Sequence, residues 1–351
     1  MKSVLDLARP DIVALAAYQP ARWEPELERL HANEMPWRPP GDESAAGLNR
    51  YPDPAHLELD RLLAALYEVA PDEALATRGS DEAIDLLVRC FCRAERDAVL
   101  VCPPTFSMYE TAAVIQGARV VEAPLRAEAG FALDVDAVLR RCTPDVKLVF
   151  VCTPNNPTGN VVDATTIARL AEGLEGRAVL VLDEAYAEFT GCPSTRTGVA
   201  AADHVVSLRT CSKAYALAGA RIGTLVAAPA VVALARKVQP PYALTQPSIE
   251  AAMRALEPAP LAEARARIEA TCRERERLAA ALAECPGVRQ VWPSAANFLL
   301  VRFDDPSDAL ARARSAGLLV RDVRKYPGLE HALRITVGTP AQHARLLESL
   351  S

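Results

Sequence analysis

Residues 204 to 227 read HVVSLRTCSKAYALAGARIGTLVA. The two apolar ends, His204 to Leu208 and Ile222 to Ala227, are strand-sized. Between them Lys213 falls just beyond the first strand among small residues, with Arg221 eight positions on. The same rhythm of short β-branched runs and longer helical patterns extends outward over residues 75 to 227. Strands are expected at Ala98 to Cys102, Arg119 to Ala123, Lys147 to Cys152 and Ala178 to Leu182. Helices are expected at Asp81 to Cys92, Ser107 to Gln116, Asp134 to Arg141 and Ala164 to Gly173. Such alternation is the signature of an α/β fold with a mostly parallel sheet covered by helices. The nearly continuous apolar character of several strands implies burial on both faces.

At 351 residues the chain exceeds the size at which one core stops growing, so two unequal domains are expected. Beyond Pro240-Pro241, Leu261 to Glu284 forms a long charged helical stretch able to bridge them. A second block follows, with strands at Val288 to Trp292, Asn297 to Phe303, Leu318 to Val323 and Leu333 to Val337. Its helices lie near Pro306 to Ala316 and Pro340 to Leu350, giving a smaller α+β domain. The proline-rich start reads as an arm with short helices. The expected division is residues 1–45 as arm and part of the small domain, 46–257 as the large domain and 258–351 as the small one.

With 50% apolar and 24% charged residues, the composition is that of a folded globular chain. Its apolar runs are too short to span a membrane, and Met1 to Asp11 lacks the pattern of a secretion signal. The expected compartment is the cytoplasm. Nine scattered cysteines, an odd number, fit free thiols there, and five scattered histidines offer no metal-ligand spacing. A net charge of −6 argues against a nucleic-acid surface. Arg265 to Arg277, interleaved with glutamates, reads as a solvated helix face laced with ion pairs.

Four short segments carry candidate chemistry. A carbonyl cofactor needs an amine that can lose its proton, and apolar or cationic surroundings prepare a lysine such as Lys213 for that use. Thr210, Ser212 and Arg221 are suitable donors to a phosphate dianion. Upstream, Val179 to Tyr186 (VLVLDEAY) is an apolar strand ending in Asp183 at the edge where ligands of open α/β sheets bind. A buried acid there needs a cation, and a protonated pyridine nitrogen would serve, with Tyr186 able to donate to the same ring's phenolate oxygen. Thr153 to Gly159 (TPNNPTG) offers the Asn156 amide at the neighbouring strand edge. Gly79 and Ser80 open an amphipathic helix whose N-terminus is an anion site. Taken singly, each has a plainer reading: a surface lysine, a helix-capping acid, a tight turn, an ordinary serine cap. Their order along the chain is the one required if successive strand edges surround a phosphorylated pyridine.

With those residues in hand, the chain resembles the fold-type I aminotransferases of the aspartate aminotransferase superfamily, and within it the histidinol-phosphate aminotransferases. The resemblance runs through RPDI…AYQPAR (Arg9 to Arg22), LHANEMP (Leu30 to Pro36), NRYPDP (Asn49 to Pro54), GSDEAIDLL (Gly79 to Leu87) and CPPTFSMY (Cys102 to Tyr109). It continues through PNNPTG, LDEAY, SLRTCSKAYALAGARIG (Ser207 to Gly223), ANFLLVRF (Ala296 to Phe303), GLLVRD (Gly317 to Asp322) and LRITVG (Leu333 to Gly338). Two departures stand out: His31 and Met35 flank Asn33-Glu34 where the family usually has an acid and asparagine, and Cys211 sits between Thr210 and Ser212.

The resemblance implies pyridoxal 5'-phosphate as cofactor, carried covalently on Lys213, with Asp183 on the ring nitrogen and Asn156 and Tyr186 on the ring oxygen. Phe106 would stack on the ring. Its phosphate would lie against the Ser80 and Asp81 backbone, Thr210, Ser212, Arg221 and Tyr51 of a second subunit, so a homodimer with shared active sites is implied. Arg334 would bind the substrate carboxylate, Arg321 and Tyr18 a substrate phosphate, and Asn33 would lie near the carboxylate. The implied substrates are small molecules, a phosphorylated amino alcohol and a 2-oxo acid: L-histidinol phosphate and 2-oxoglutarate, a step of histidine biosynthesis. An aromatic amino-acid aminotransferase and a lyase like threonine-phosphate decarboxylase remain as alternatives.

Overall fold

The structure, a computed structural model, describes residues 3–19, 24, 26–191 and 202–351. Its strands are β1 (Ala74–Thr77), β2 (Ala98–Val101), β3 (Arg119–Glu122), β4 (Val146–Cys152), β5 (Val179–Asp183), β6 (Val205–Thr210) and β7 (Gly223–Val226), followed by β8 (Val288–Val291), β9 (Phe298–Phe303), β10 (Arg321–Asp322) and β11 (Ala332–Thr336). The first seven form one sheet in the order β1-β7-β6-β5-β4-β2-β3. β3, β2, β4, β5 and β6 run parallel, and β7 is antiparallel to both its neighbours. This is the mostly parallel α/β sheet expected from the alternation. The chain turns outward to β3 on one side of β2 and resumes at β4 on the other, so the strand order reverses between β2 and β4. Open sheets bind ligands beyond the carboxyl ends of strands at such a point.

Alternation along the central strands splits the core in two. Val179 and Val181 of β5 face helices Gly79–Phe91, Met108–Gln116 and Pro229–Val238, while Leu180 and Leu182 face helices Val135–Arg141 and Ala164–Leu174. All four are fully buried, and each contributes roughly 1.5–3 kcal/mol of hydrophobic burial. The edge strand β3 carries the exposed Arg119 and Glu122, charges that discourage pairing with another chain. At the other edge β1 (ALAT) has little β-branched character, which is why sequence pattern alone does not reveal it.

The second sheet, β10-β11-β9-β8, is antiparallel throughout. One face buries Leu299, Val301, Leu333 and Ile335 against helices Pro258–Ala283, Pro306–Ser315 and Pro340–Leu350. On its other side Phe298 and Ala296 pack with Ala185, Tyr186, Phe189 and Ala214, which fastens the smaller sheet beside the ends of β5 and β6. Helix Pro258–Ala283 buries only Leu278 and Leu282, and its surface carries the pairs Arg267–Glu263, Arg273–Glu269 and Arg277–Glu274.

Two expectations change. The strand expected over Leu318 to Val323 pairs only at Arg321–Asp322, because Leu319 is 90% exposed and the Asp322 carboxylate accepts from the Arg324 backbone, turning the chain away. The first residues do not join the smaller layer: Val4 and Ala8 are buried against the helices of the large sheet, and the Arg9 amide donates to the Cys90 carbonyl. Apolar Val4, Leu5 and Leu7 find their partners there. Within the Arg9 to Arg22 motif, Pro20 to Arg22 lie outside the described residues.

Candidate active site

A cavity of about 300 Å³ opens at the carboxyl ends of β4, β5 and β6, and it gathers Ser80, Asp81, Phe106, Asn156, Asp183, Tyr186, Thr210, Ser212, Lys213, Arg221, Arg321 and Arg334. Residues 254 positions apart in sequence therefore meet in one place. The assembly has three parts: an anion corner, a buried acid and a cationic wall.

The anion corner forms where helix Gly79–Phe91 starts against β7. Gly79 has φ +74°, and a Cβ there would come 2.5 Å from the Arg221 guanidinium. A Cβ on Gly223 would come 2.3 Å from the Gly79 carbonyl carbon, so both glycines are required for this approach. Arg221, itself at φ +57°, donates to Ser212 Oγ at 3.4 Å, to the Ala218 carbonyl at 3.1 Å and to Asp81 at 3.2 Å. The Ser212 amide donates to Thr210 Oγ1 at 3.1 Å. Hydroxyls, a guanidinium and the free amides of a helix start thus converge on one spot, a site for an anion.

Asp183 ends β5 and is only 2% exposed. One carboxylate oxygen accepts from the Tyr109 hydroxyl at 2.7 Å and the other from the Ala185 amide at 3.1 Å. Among the described residues no cation pairs with it. Burial pushes its carboxyl up to about 6, against the opposing pull of those two hydrogen bonds. A buried acid without a cation is costly unless a ligand supplies one.

Lys213 stands across the cavity with its surface open to the cavity's solvent. The enclosing walls, followed by the charge of Arg334, hold its ammonium below the ordinary lysine value, with Asp81 and Asp183 acting the other way. Its Nζ lies 5.9 Å from the centre of the Tyr186 ring. Tyr186 is buried and meets Phe298 edge-on at 5.2 Å. Burial drives its phenol well above the usual tyrosine range.

The cationic wall comes from the smaller sheet. Arg321 and Arg334 are cross-strand partners on β10 and β11. Arg334 lies 5.1 Å over the Phe298 ring and donates through Nη1 to Asn156 Oδ1, while its buried Nε has no partner among the described residues. Burial, then the nearby Arg321 charge, favours loss of its proton, although the group stays cationic at any ordinary pH.

Tyr18, Asn33 and Tyr51 do not reach this cavity. Tyr51 stacks on Tyr242 at 4.5 Å and lines a separate groove with Asn33, Glu34 and Arg50. Tyr18 is 68% exposed. Conversely, Cys152, Ser107, Val323 and Tyr326 line the cavity, and Tyr109 supports it from below, without having been singled out in the sequence. Tyr109 was detectable as part of an expected helix, but nothing in its spacing said that its hydroxyl would meet Asp183. Tyr326 lies outside any strand or helix and carries no motif signal.

The chemical sense of the arrangement is a slot for a flat heteroaromatic cation with an anionic tail, beside an amine and facing two guanidinium groups. Known proteins agree. The family described as aminotransferase class I and II matches residues 16–350. A histidinol-phosphate aminotransferase from Stenotrophomonas maltophilia is 48% identical over 99% of this chain and 96% of its own length. One from Xanthomonas axonopodis pv. citri is 47% identical over 99% of this chain and 97% of its own. Among solved structures, the histidinol-phosphate aminotransferase of Sinorhizobium meliloti in complex with pyridoxal-5'-phosphate superposes with a TM-score of 0.75 at 26% identity, covering 87% of this chain and 83% of that one.

Proposed function

The chain belongs to the class I and II aminotransferases, and on that premise we propose that it moves the amino group of L-histidinol phosphate to 2-oxoglutarate, a step of histidine biosynthesis. It is a pyridoxal-phosphate-dependent enzyme, and the residues present suit that cofactor. The observation that carries the reading is the buried Asp183, short of a cation, in one cavity with Lys213 and the anion corner.

In this reading the Ser80 and Asp81 amides, Thr210, Ser212 and Arg221 hold the cofactor phosphate. Phe106 covers the ring face, Asn156 and Tyr186 donate to the ring oxygen, and Asp183 meets the protonated ring nitrogen. Pyridoxal phosphate, when bound, supplies an electron sink for the charge left as a proton leaves the amine-bearing carbon. Lys213, with its ammonium depressed by desolvation, takes that proton and returns it as general base and acid. Arg334 binds a substrate carboxylate, as its orphaned buried Nε supports, and Arg321 binds the distal anion of either substrate. One cationic wall thereby serves both a phosphorylated amino alcohol and a dicarboxylic oxo acid.

Tyr51, Tyr18 and Asn33 complete the site of a second copy. Their segment supports this by exposing Leu30 (98%), Trp37 (74%), Met35 (64%) and Tyr18 (68%), apolar surface that a partner protomer would cover. The working form is a homodimer of the cytoplasm. In the described residues no helix is long and apolar enough to cross a membrane.

The test is a donor panel. Purified protein is offered L-histidinol phosphate, L-phenylalanine or L-threonine phosphate with 2-oxoglutarate, and turnover is read together with the cofactor's absorbance. Histidinol phosphate is expected to turn over fastest and Lys213→Ala not at all. Preference for phenylalanine, or carbon dioxide release from threonine phosphate, would replace the substrate assignment.

A further inference from the structure

Tyr109 closes the CPPTFSMY segment with no role assigned to it there and does not line the cavity, yet its hydroxyl donates a 2.7 Å hydrogen bond to Asp183 Oδ2 of the buried acid. Its ring is fully buried. It lies flat on Phe150 of β4, with ring centres 4.7 Å apart and planes 7° from parallel, and it meets Phe106 edge-on at 5.7 Å. A hydroxyl is the one polar atom that this ring brings into an apolar layer, and it is spent on Asp183. We propose that Tyr109 is a positioning residue, whose hydroxyl fixes the Asp183 carboxylate as the site's anion, aimed at a ring nitrogen.

This rests on the reading of Asp183 as the partner of that nitrogen. Asp183 cannot be oriented by the cavity side alone, because its second oxygen is already taken by the Ala185 amide, which belongs to the same turn. Tyr109 comes from a different element, helix Met108–Gln116, and so ties the acid to the layer beneath the sheet. The other groups that face Asp183 are Cys152 on β4, Asp81, Glu184, Tyr186 and Lys213. Asp81 and Glu184 work against its charge and Lys213 for it. Cys152, held protonated by burial, brings no charge. Tyr109 is thus the strongest neighbour that favours the anion, and the direction of the carboxyl's shift agrees: burial pushes it up, and the Tyr109 bond is the largest influence pulling it back.

The test uses cofactor binding, not turnover. Apoprotein is titrated with pyridoxal phosphate from pH 5 to 9, with binding followed by quenching of protein fluorescence. Each variant is compared with wild type at the same pH, so the cofactor's own ionisations cancel. Wild-type affinity is expected to fall as pH drops through about 6, the value to which burial raises the Asp183 carboxyl. In Tyr109→Phe that fall is expected to begin about one to two pH units higher, the effect of losing a hydrogen bond to a charged acceptor. Affinity at pH 6 should then be roughly tenfold weaker, while the two proteins converge at pH 9. Tyr109→His, which keeps a ring and a donor, should hold the midpoint at or below that of wild type, and it serves also if the phenylalanine variant does not fold. A loss of affinity equal at every pH in Tyr109→Phe, or a midpoint raised in Tyr109→His, overturns the proposal by reducing Tyr109 to packing. Asp183→Asn separates the two readings. If it binds the cofactor with the wild-type profile, the assignment of Asp183 itself fails. If it loses the pH dependence while Tyr109→Phe keeps the wild-type midpoint, only Tyr109 is misassigned.

Discussion

Arg321 and Arg334 stand opposite each other across β10 and β11, two guanidinium groups lining one cavity. Like charges directly opposed on a sheet are destabilising, a cost to the fold that a bound anionic ligand would offset.

Separating the two arginines follows from that placement. Arg334→Ala should raise KM for 2-oxoglutarate and for glutamate by roughly ten- to a hundredfold, the worth of a charge-assisted hydrogen bond to a carboxylate. Arg321→Gln should act most on the phosphorylated donor. Steady-state KM values for both substrates in both variants check this, and equal effects of either substitution on every substrate would refute the division.

The glycine contact at the anion corner predicts a structural lesion with a functional readout. Gly223→Ala drives a methyl into the Gly79 backbone, which has no flexible end to give way. Overpacking of this kind costs about 1–3 kcal/mol, and here it must also shift the helix start at the anion corner. Thermal melting and cofactor affinity should both fall, whereas Gly41→Ala, with open space around it, should leave affinity unchanged.

Asp183 also sets a pH dependence of the empty protein. Its carboxyl is raised from 3.8 to about 6 on folding, so the folded state binds the proton more tightly than the unfolded chain. The stability that proton confers is full below pH 3.8 and is lost as pH rises through about 6. The loss amounts to about 3 kcal/mol on the linkage relation. Asp183→Asn should remove it. Denaturant melts of the two apoproteins at pH 4.5 and 7.5 should show the asparagine variant gaining relative to wild type at the higher pH, and parallel stabilities would contradict the burial argument.

A shared site predicts complementation. Lys213→Ala and Tyr51→Ala homodimers should each be impaired, and mixing them should regenerate one intact site per hybrid dimer. With random exchange that restores about a quarter of wild-type activity. Failure to gain activity, with exchange verified by mass, would separate Tyr51 from the partner's cavity.

The sequence made the large sheet legible because β4, β5 and β6 are continuous apolar runs ending in polar residues, and burial on both faces leaves few other ways to read them. Lys213, Asp183, Asn156 and Ser80 were legible for the same reason: each sits immediately past such a run or at a helix start, where geometry follows from local pattern. The family resemblance supplied Arg321 and Arg334, which no local pattern marks. Tyr109, Cys152 and Tyr326 escaped because their roles depend on which side of a helix or loop meets the cavity, and that is decided by packing between elements distant in sequence. Tyr18, Asn33 and Tyr51 were named from the resemblance alone, and in the single chain they lie outside the cavity.

Lys213, one of five lysines in the chain, is expected to be the cofactor's attachment point. Reconstituting the protein with pyridoxal phosphate, reducing it with borohydride and mapping the peptides by mass spectrometry tests this directly. One phosphopyridoxyl group per chain is expected, on Lys213. A label on Lys147, Lys237 or Lys325 instead, or no label on a protein that still transaminates, would contradict it.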